Sequence, residues 1–229
     1  MFDHYTNSIR LRYRTRNERN QQAAKLIGRL FGEEIKILNI GSGGEEFLKK
    51  ALPAAKIFDV DICGKADLLV DLETVEQFDF QDGDFDLAIA LDLLEHIENF
   101  HAMLKEMFRC TNGHVLISLP NPATSFIRIF RNQKRATNVQ SEQGFYEKFY
   151  GLPLDKPTDR HKWFFTIDDV RALFEHHVSE GNIDNVQYFS GHSWTPVRCI
   201  LRAALGKRLY YNLFLPNIWI LATKRNQSR

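Results

Sequence analysis

Apolar residues along the chain fall into two patterns, short continuous runs and helical repeats. The runs lie at 35–40, 56–62, 85–91 and 114–119 and are typical of strands that are buried on both faces. Between the runs, apolar residues recur every three or four positions, most clearly from Phe100 to Phe108. Strands that alternate with helices predict an α/β fold with a parallel sheet and crossover helices.

The flanking regions contain further predicted elements. A short third strand should end in Asp71, and two late strands at 185–189 and 218–222 should pair antiparallel. One helix precedes the first strand, with Gly32 at its end, and a second follows the capping-box pattern of Thr166 and Asp169. A third helix opens at Thr195-Pro196, and its apolar stripe consists of Val197, Ile200, Leu201, Ala204 and Leu205.

We divide the chain into a helical lead-in at 1–34 and a domain at 35–229, with a lid insertion at 123–165. The insertion follows the fifth strand, at the sheet edge where open α/β sheets bind ligands. Its aromatic residues could cover a site or form extra core: Phe126, Phe130, Phe145, Tyr146, Phe149, Tyr150 and Trp163. The arginines at 10–19 predict either a solvated helix or an arm over the site or an anionic partner.

Composition is that of an ordinary globular protein. The chain has 229 residues, 44% hydrophobic and 26% charged, with a net charge of +1. This charge argues against an obligatory nucleic-acid partner. Three widely spaced cysteines suggest a reducing compartment, and the N-terminus lacks an apolar signal region. We therefore expect a cytoplasmic protein.

The stretch from Ile35 to Ile62 carries the first chemical signal. A strand leads into Gly41-Ser42-Gly43-Gly44, and Asp61 ends the next strand 20 residues after Gly41. This spacing places a carboxylate against a ribose diol, and Asp59 is a weaker competitor for that role. Glu45 and Glu46 stand where a dinucleotide site has its third glycine, and they would repel a pyrophosphate. S-adenosylmethionine (SAM) fits better than NAD, so an NAD-dependent oxidoreductase is disfavoured.

These motifs, together with Asp71-Leu72 and the run from Phe85 to Ile97, resemble the class I SAM-dependent methyltransferases. The resemblance covers residues 35–122 and is greatest to methyltransferase-domain proteins that read "LNIGSGG" (38–44) and "LEHI" (94–97); the combination of motifs is specific, although each motif alone is not. It implies a doubly wound, mostly parallel seven-stranded sheet and an enzyme that uses SAM. Asn39 stands where the family usually has Asp, and Glu45 where it has glycine.

The resemblance also implies roles for individual positions. The glycine turn would approach the methionyl part and the ribose, Asp61 would accept from the ribose hydroxyls, and Asn39 could hydrogen-bond to the turn. The remaining positions would flank the adenine or the sulfonium. The complete cofactor set is Asn39, Gly41, Ser42, Gly43, Asp61, Ile62, Asp71, Leu72, Leu91 and Asp92.

Three residues are candidates for catalysis: Glu95, His96 and His161. Glu95 and His96 follow the fourth strand, near the reactive end of the cofactor, and His161 lies in the insertion. A histidine could act as base, although His96 could instead orient the backbone and Glu95 answer a helix dipole. His101, His114, His176 and His177 suit structural roles. No group has the ligand spacing of a metal site, so we expect no metal.

The sequence thus predicts methyl transfer to a small-molecule or saccharide acceptor, with O-methylation favoured. A SAM-binding regulator or partner subunit without catalysis remains an alternative. A further possible partner is a membrane surface or lipid-linked substrate, although a helix packed on the core predicts the same pattern. The residues concerned are Phe126, Ile127, Arg128, Ile129, Phe130, Arg131, Arg198, Arg202, Lys207 and Arg208.

Overall fold

The computed structural model describes residues 11–32, 34–131, 160–191 and 195–225, with the backbone only for 128–131. Within these ranges all seven predicted strands are present. Their bounds are β1 Lys36–Ile40, β2 Lys56–Asp61, β3 Leu68–Leu69, β4 Phe85–Leu91, β5 Thr111–Pro120, β6 Ile183–Phe189 and β7 Asn217–Lys224.

The strands form one sheet in the order β3-β2-β1-β4-β5-β7-β6. The first five strands are parallel to one another, whereas β7 runs antiparallel between β5 and β6. The predicted mostly parallel seven-stranded α/β fold is therefore confirmed. Strand order reverses between β1 and β4, so a crevice opens at the carboxyl ends of these two strands.

Apolar layers cover both faces of the sheet, which explains the continuous apolar runs. The helices are α1 Arg16–Phe31, α2 Phe47–Ala51, α3 Phe100–Cys110, α4 Pro122–Arg131, α5 Ile167–Ser179, α6 Pro196–Leu205 and α7 Lys207–Phe214. Successive β1 residues alternate between the layers: Ile37 faces the layer of α1, and Leu38 faces the layer of α3 and α5.

The predicted helix starts depend on hydroxyl caps. Thr166 accepts from the backbone of Asp169, and the Asp169 carboxylate accepts from the backbone of Thr166, a reciprocal capping box. Thr195 caps α6, with Pro196 in the first turn. Gly32 follows α1 at φ 79°, as its position at the end of the apolar repeat predicted.

Several local expectations differ from the structure. Helix α1 begins at Arg16, so residues 11–15 precede the helix rather than forming part of it. The sequence from Leu91 to His96 predicts the beginning of a helix, but after β4 the chain makes only one 3-10 turn, Leu94–His96, before α3 starts at Phe100. Helix α7 was missed, because its aromatic residues merge with the apolar run of the following strand.

The described residues include only the two ends of the predicted lid insertion. Helix α4 occupies the first part of the predicted insertion, and the chain is again described from Arg160. Most of the predicted aromatic cover, including Phe145 and Tyr150, lies outside the described residues. The stripe predicted for α6 lies only partly against the core: Val197 and Ile200 are 73% and 70% exposed, whereas Leu201 and Leu205 pack against the core.

Candidate functional site

The turn after β1 lies in the crevice and has the backbone that its glycines permit. Gly41, Gly43 and Gly44 have φ values of 74°, 78° and 68°. A Cβ on Gly41 would lie 2.7 Å from Cδ1 of Leu93, the second residue after β4. The turn therefore requires glycine for both its conformation and its contact with the β4–α3 segment.

Asp61 ties this turn to the end of β2. Its Oδ2 accepts from the backbone N–H of Gly43 at 2.7 Å and lies 3.4 Å from the Ser42 hydroxyl. Its Oδ1 accepts from the backbone N–H groups of Ile62 and Cys63 at 2.8 and 3.3 Å. The carboxylate thus holds the two segments predicted to surround a nucleoside, and Ile62 beside it is 63% exposed.

Asp59, the competitor for Asp61, is buried away from the turn. It accepts a 2.7 Å hydrogen bond from Nδ2 of Asn39, its partner across β1 and β2, and Nζ of Lys49 lies 3.1 Å from its other oxygen. Asn39 therefore binds Asp59 and not the turn, which corrects the prediction. An aspartate at position 39 would face Asp59 as a like charge, which explains why this chain has the amide.

A second close contact joins the turn to the β2–β3 loop. Gly64 has φ 79°, and a Cβ on it would lie 2.3 Å from Cα of Gly44. The backbone N–H of Lys65 donates to the carbonyl of Gly44 at 3.3 Å. The role of Gly64 was not predicted, although a glycine shortly after the acid at the end of β2 was a possible signal.

At the end of β4, Asp92 has a left-handed backbone with φ 44°. Its carboxylate accepts from the Tyr13 hydroxyl at 2.7 and 2.9 Å and from the Ser118 hydroxyl at 2.6 Å, and it pairs with Arg19 at 2.9 Å. Burial, together with the adjacent Asp92 charge, raises the pKa of Tyr13 well above its ordinary value. Leu91 is buried in the layer of α1.

These contacts place the N-terminal segment beside the crevice. Arg16, at the start of α1, has its Nη1 3.6 Å from the position that a Cβ on Gly43 would occupy. Leu11 is buried, and its carbonyl lies 2.5 Å from the Cβ position of Gly191. Arg12, Arg14 and Arg16 are exposed, whereas Arg19 is buried. The contacts of Tyr13 and Arg19 with Asp92 were not predicted.

Asp71 and Leu72 follow β3 and differ in exposure. Asp71 is exposed, and its Oδ1 accepts from the backbone N–H of Glu73 at 3.0 Å. The Leu72 side chain is buried in the core, while its carbonyl accepts from Nδ2 of Asn99 at 2.8 Å. The Leu72 side chain is therefore a poorer candidate than the Asp71 carboxylate for contact with a ligand.

The structure brings the three candidate catalytic residues together. One ligand atom each from Glu95, His96 and His161 lies within 4.8 Å of the others. Glu95 is fully buried, with Oε1 3.7 Å from Nε2 of His96, and the two imidazole centroids are 4.4 Å apart. The backbone N–H of Lys162 donates to the Glu95 carbonyl at 2.7 Å, which fixes His161 beside the 3-10 turn.

Four further histidines lie in the described ranges: His114 and His177 are partly buried, whereas His101 and His176 are exposed. His101 contacts the Trp163 ring at 5.5 Å, and burial lowers the pKa of His114. His176 and His177 are in the last turn of α5, where burial lowers the pKa of His177. Within the described ranges, no helix is long and apolar enough to cross a membrane.

Comparisons with known proteins agree with this arrangement. Residues 13–177 match the family model described as a methyltransferase domain. No curated protein matches the chain. The fold is similar to a SAM-dependent methyltransferase from Archaeoglobus fulgidus, with TM-score 0.56 and 16% identity over 90% of this chain and 94% of that one.

A second similar structure is the plantazolicin methyltransferase BpumL in complex with a triazolic desmethylPZN analogue and SAH. It has TM-score 0.56 and 13% identity, over 98% of this chain and 88% of that one. At such identities the similarity establishes a shared fold.

Proposed function

Since the chain belongs to the methyltransferase-domain family, we propose that it transfers a methyl group from SAM to a hydroxyl group of a small-molecule or saccharide acceptor. The observation that carries the cofactor assignment is the position of Asp61. Its carboxylate lies at the end of β2, in contact with the glycine turn, where a ribose diol would offer two hydroxyl donors.

The surrounding residues fit SAM better than a dinucleotide. The left-handed glycines allow the backbone to approach a ligand closely, and the exposed Ile62 offers an apolar surface for adenine. Arg16 lies beside Gly43 and supplies a cation for the methionyl carboxylate. A pyrophosphate at the start of α2 would instead meet Glu45 and Glu46.

When bound, SAM supplies a methyl group on a positively charged sulfur, which an oxygen nucleophile can displace. The protein has to hold the acceptor in line and help its hydroxyl lose a proton. Glu95, His96 and His161 are the proposed residues for this task, because they converge at the turn that follows β4. Leu93, two residues before Glu95, contacts the glycine turn and links this cluster to the cofactor side.

The acceptor assignment is supported by the surface near the cluster. Phe164 is 65% exposed and lies edge-on to Phe126 of α4 at 5.2 Å, so an apolar or sugar ring could pack there. Contact with a membrane or lipid-linked acceptor stays a prediction. The exposed Val197 and Ile200 of α6 would supply apolar side chains for such a contact.

Calorimetry tests the cofactor assignment. The intact protein should bind SAM and not NAD, and Asp61→Ala should remove most of the SAM affinity. Asp184→Ala is the matched control, because Asp184 is a half-exposed carboxylate on the outermost strand β6, where it pairs with Arg225. No SAM binding by the intact protein, or equal binding by Asp61→Ala and the control, would contradict the assignment.

Methyl transfer is tested separately with labelled SAM and fractionated cell metabolites. Label in a saccharide or other hydroxyl compound supports the proposal. If SAM binds but no fraction takes up label, the alternative of a non-catalytic SAM-binding regulator is favoured instead.

A further inference from the structure

We propose that Glu95, His96 and His161 form a binding site for one divalent transition-metal cation, which in turn holds the acceptor oxygen. Ligand atoms around a zinc-sized cation lie about 2.0–2.2 Å from the metal, so their mutual separations are about 3–4 Å. The three residues already present one ligand atom each within 4.8 Å. Only small side-chain rotations are needed to close this set around an ion.

Hydrogen bonds and an ion pair hold together the two segments that contribute the three ligands. Glu95 and His96 lie on the 3-10 turn, and His161 is attached to that turn by the hydrogen bond from Lys162 to the Glu95 carbonyl. Trp163 Nε1 donates to the carbonyl of Ile97 at 2.7 Å, and Lys162 pairs with Glu73. Such fixed attachment lowers the conformational cost of bringing ligands together.

The chemistry of the donors indicates the class of cation. Two imidazoles and one carboxylate suit zinc, cobalt, iron or manganese, whereas magnesium and calcium prefer oxygen ligands. The buried Glu95 supplies one negative charge, and both imidazoles lie in partly exposed positions. Three protein ligands leave at least one coordination position for water or an acceptor oxygen, which is the pattern of catalytic rather than structural sites.

The position of the site gives the cation a use. A hydroxyl group that coordinates a divalent metal loses its proton to solvent more easily, because the metal stabilises the anionic oxygen. This part of the inference rests on the proposed methyltransferase function; the binding of the cation does not. Because His161 lies far from Glu95 and His96 in sequence, chain spacing could not reveal the site.

The test uses the full chain stripped of metal by chelation and titrated with Co²⁺ and with Zn²⁺. We expect one ion per chain in the micromolar range or tighter, with visible Co²⁺ absorption typical of nitrogen and oxygen ligands. His161→Gln and Glu95→Gln should each weaken binding about 100-fold or more. His101→Gln is the matched control, because His101 packs against the ring of Trp163, two residues after His161, but lies outside the cluster.

Thermal unfolding of each variant identifies folded proteins, and His96→Gln replaces any that fail to fold. The proposal is overturned if the parent protein binds no Co²⁺ at millimolar concentration. It is equally overturned if folded cluster variants bind Co²⁺ as well as His101→Gln does. SAM calorimetry on the same samples separates the two proposals: SAM binding without Co²⁺ binding refutes only the metal site, and Co²⁺ binding without SAM binding refutes only the cofactor assignment.

Discussion

The contact between the β1–α2 turn and the β2–β3 loop can be tested with Gly64→Ala. The added Cβ would lie 2.3 Å from Cα of Gly44, whereas carbon atoms in contact are about 3.5–4.0 Å apart. Because the obstructing atom belongs to the backbone, rotation of a side chain cannot relieve the overlap. One of the two loops must move by about 1 Å or more.

The expected magnitude follows from two separate terms. Alanine at φ 79° costs about 1–2 kcal/mol of left-handed strain, and overpacking adds about 1–3 kcal/mol. Gly206→Ala is the matched control, because Gly206 has φ 77° but no atom within 4 Å of its Cβ position. The control should therefore show backbone strain without any overlap between two loops.

Denaturant unfolding and SAM calorimetry measure the two consequences. Gly64→Ala should lower the free energy of unfolding by about 2–5 kcal/mol and weaken SAM binding about tenfold or more, because Gly44 belongs to the turn that is proposed to bind the cofactor. Gly206 has ψ 152°, a conformation almost confined to glycine, so Gly206→Ala should lose about 1–3 kcal/mol and keep its SAM affinity. The effect ascribed to the loop contact is refuted if the free energies of unfolding of the two variants agree within about 0.5 kcal/mol, or if both variants bind SAM equally.

Three further predictions concern the surrounding scaffold. Tyr13→Phe removes the hydroxyl donor to the Asp92 carboxylate and should cost about 1–3 kcal/mol of unfolding free energy; an unchanged denaturation midpoint would contradict this. Burial opposes ionisation of Glu106, but hydrogen bonds from Arg109 and a backbone N–H lower its pKa. The contribution of Glu106 to stability should therefore be present above pH 4.5 and lost as pH falls through the lowered folded pKa. Urea unfolding at pH 7 and pH 3 should show that Glu106→Gln removes this part of the pH dependence of the unfolding free energy. Trp163→Phe loses the indole N–H that donates to a backbone carbonyl and should destabilise the protein by about 1 kcal/mol in thermal unfolding; an unchanged melting temperature would contradict this.

The strands were predictable because their signals are local. β4 was predicted at its observed bounds, Phe85–Leu91, since a strand covered on both faces is apolar along most of its length; only the exposed Asp86 interrupts this run. The caps at Thr166 and Thr195 were predictable for the same reason, because a capping side chain binds backbone groups two or three residues away. Helix α7 was not, because its apolar residues continue directly into the run of β7.

The same distinction between local signals and long-range contacts applies to the site. The sequence by itself determined the glycine turn and Asp61, because the carboxyl ends of adjacent parallel strands must meet at one sheet edge. Only the tertiary structure decided that Asn39 binds Asp59 and that Asp92 is held by Tyr13 and Arg19. The same holds for His161, which joins Glu95 and His96 across 65 residues of chain. Contacts between residues so far apart depend on how segments pack, and no local pattern encodes that packing.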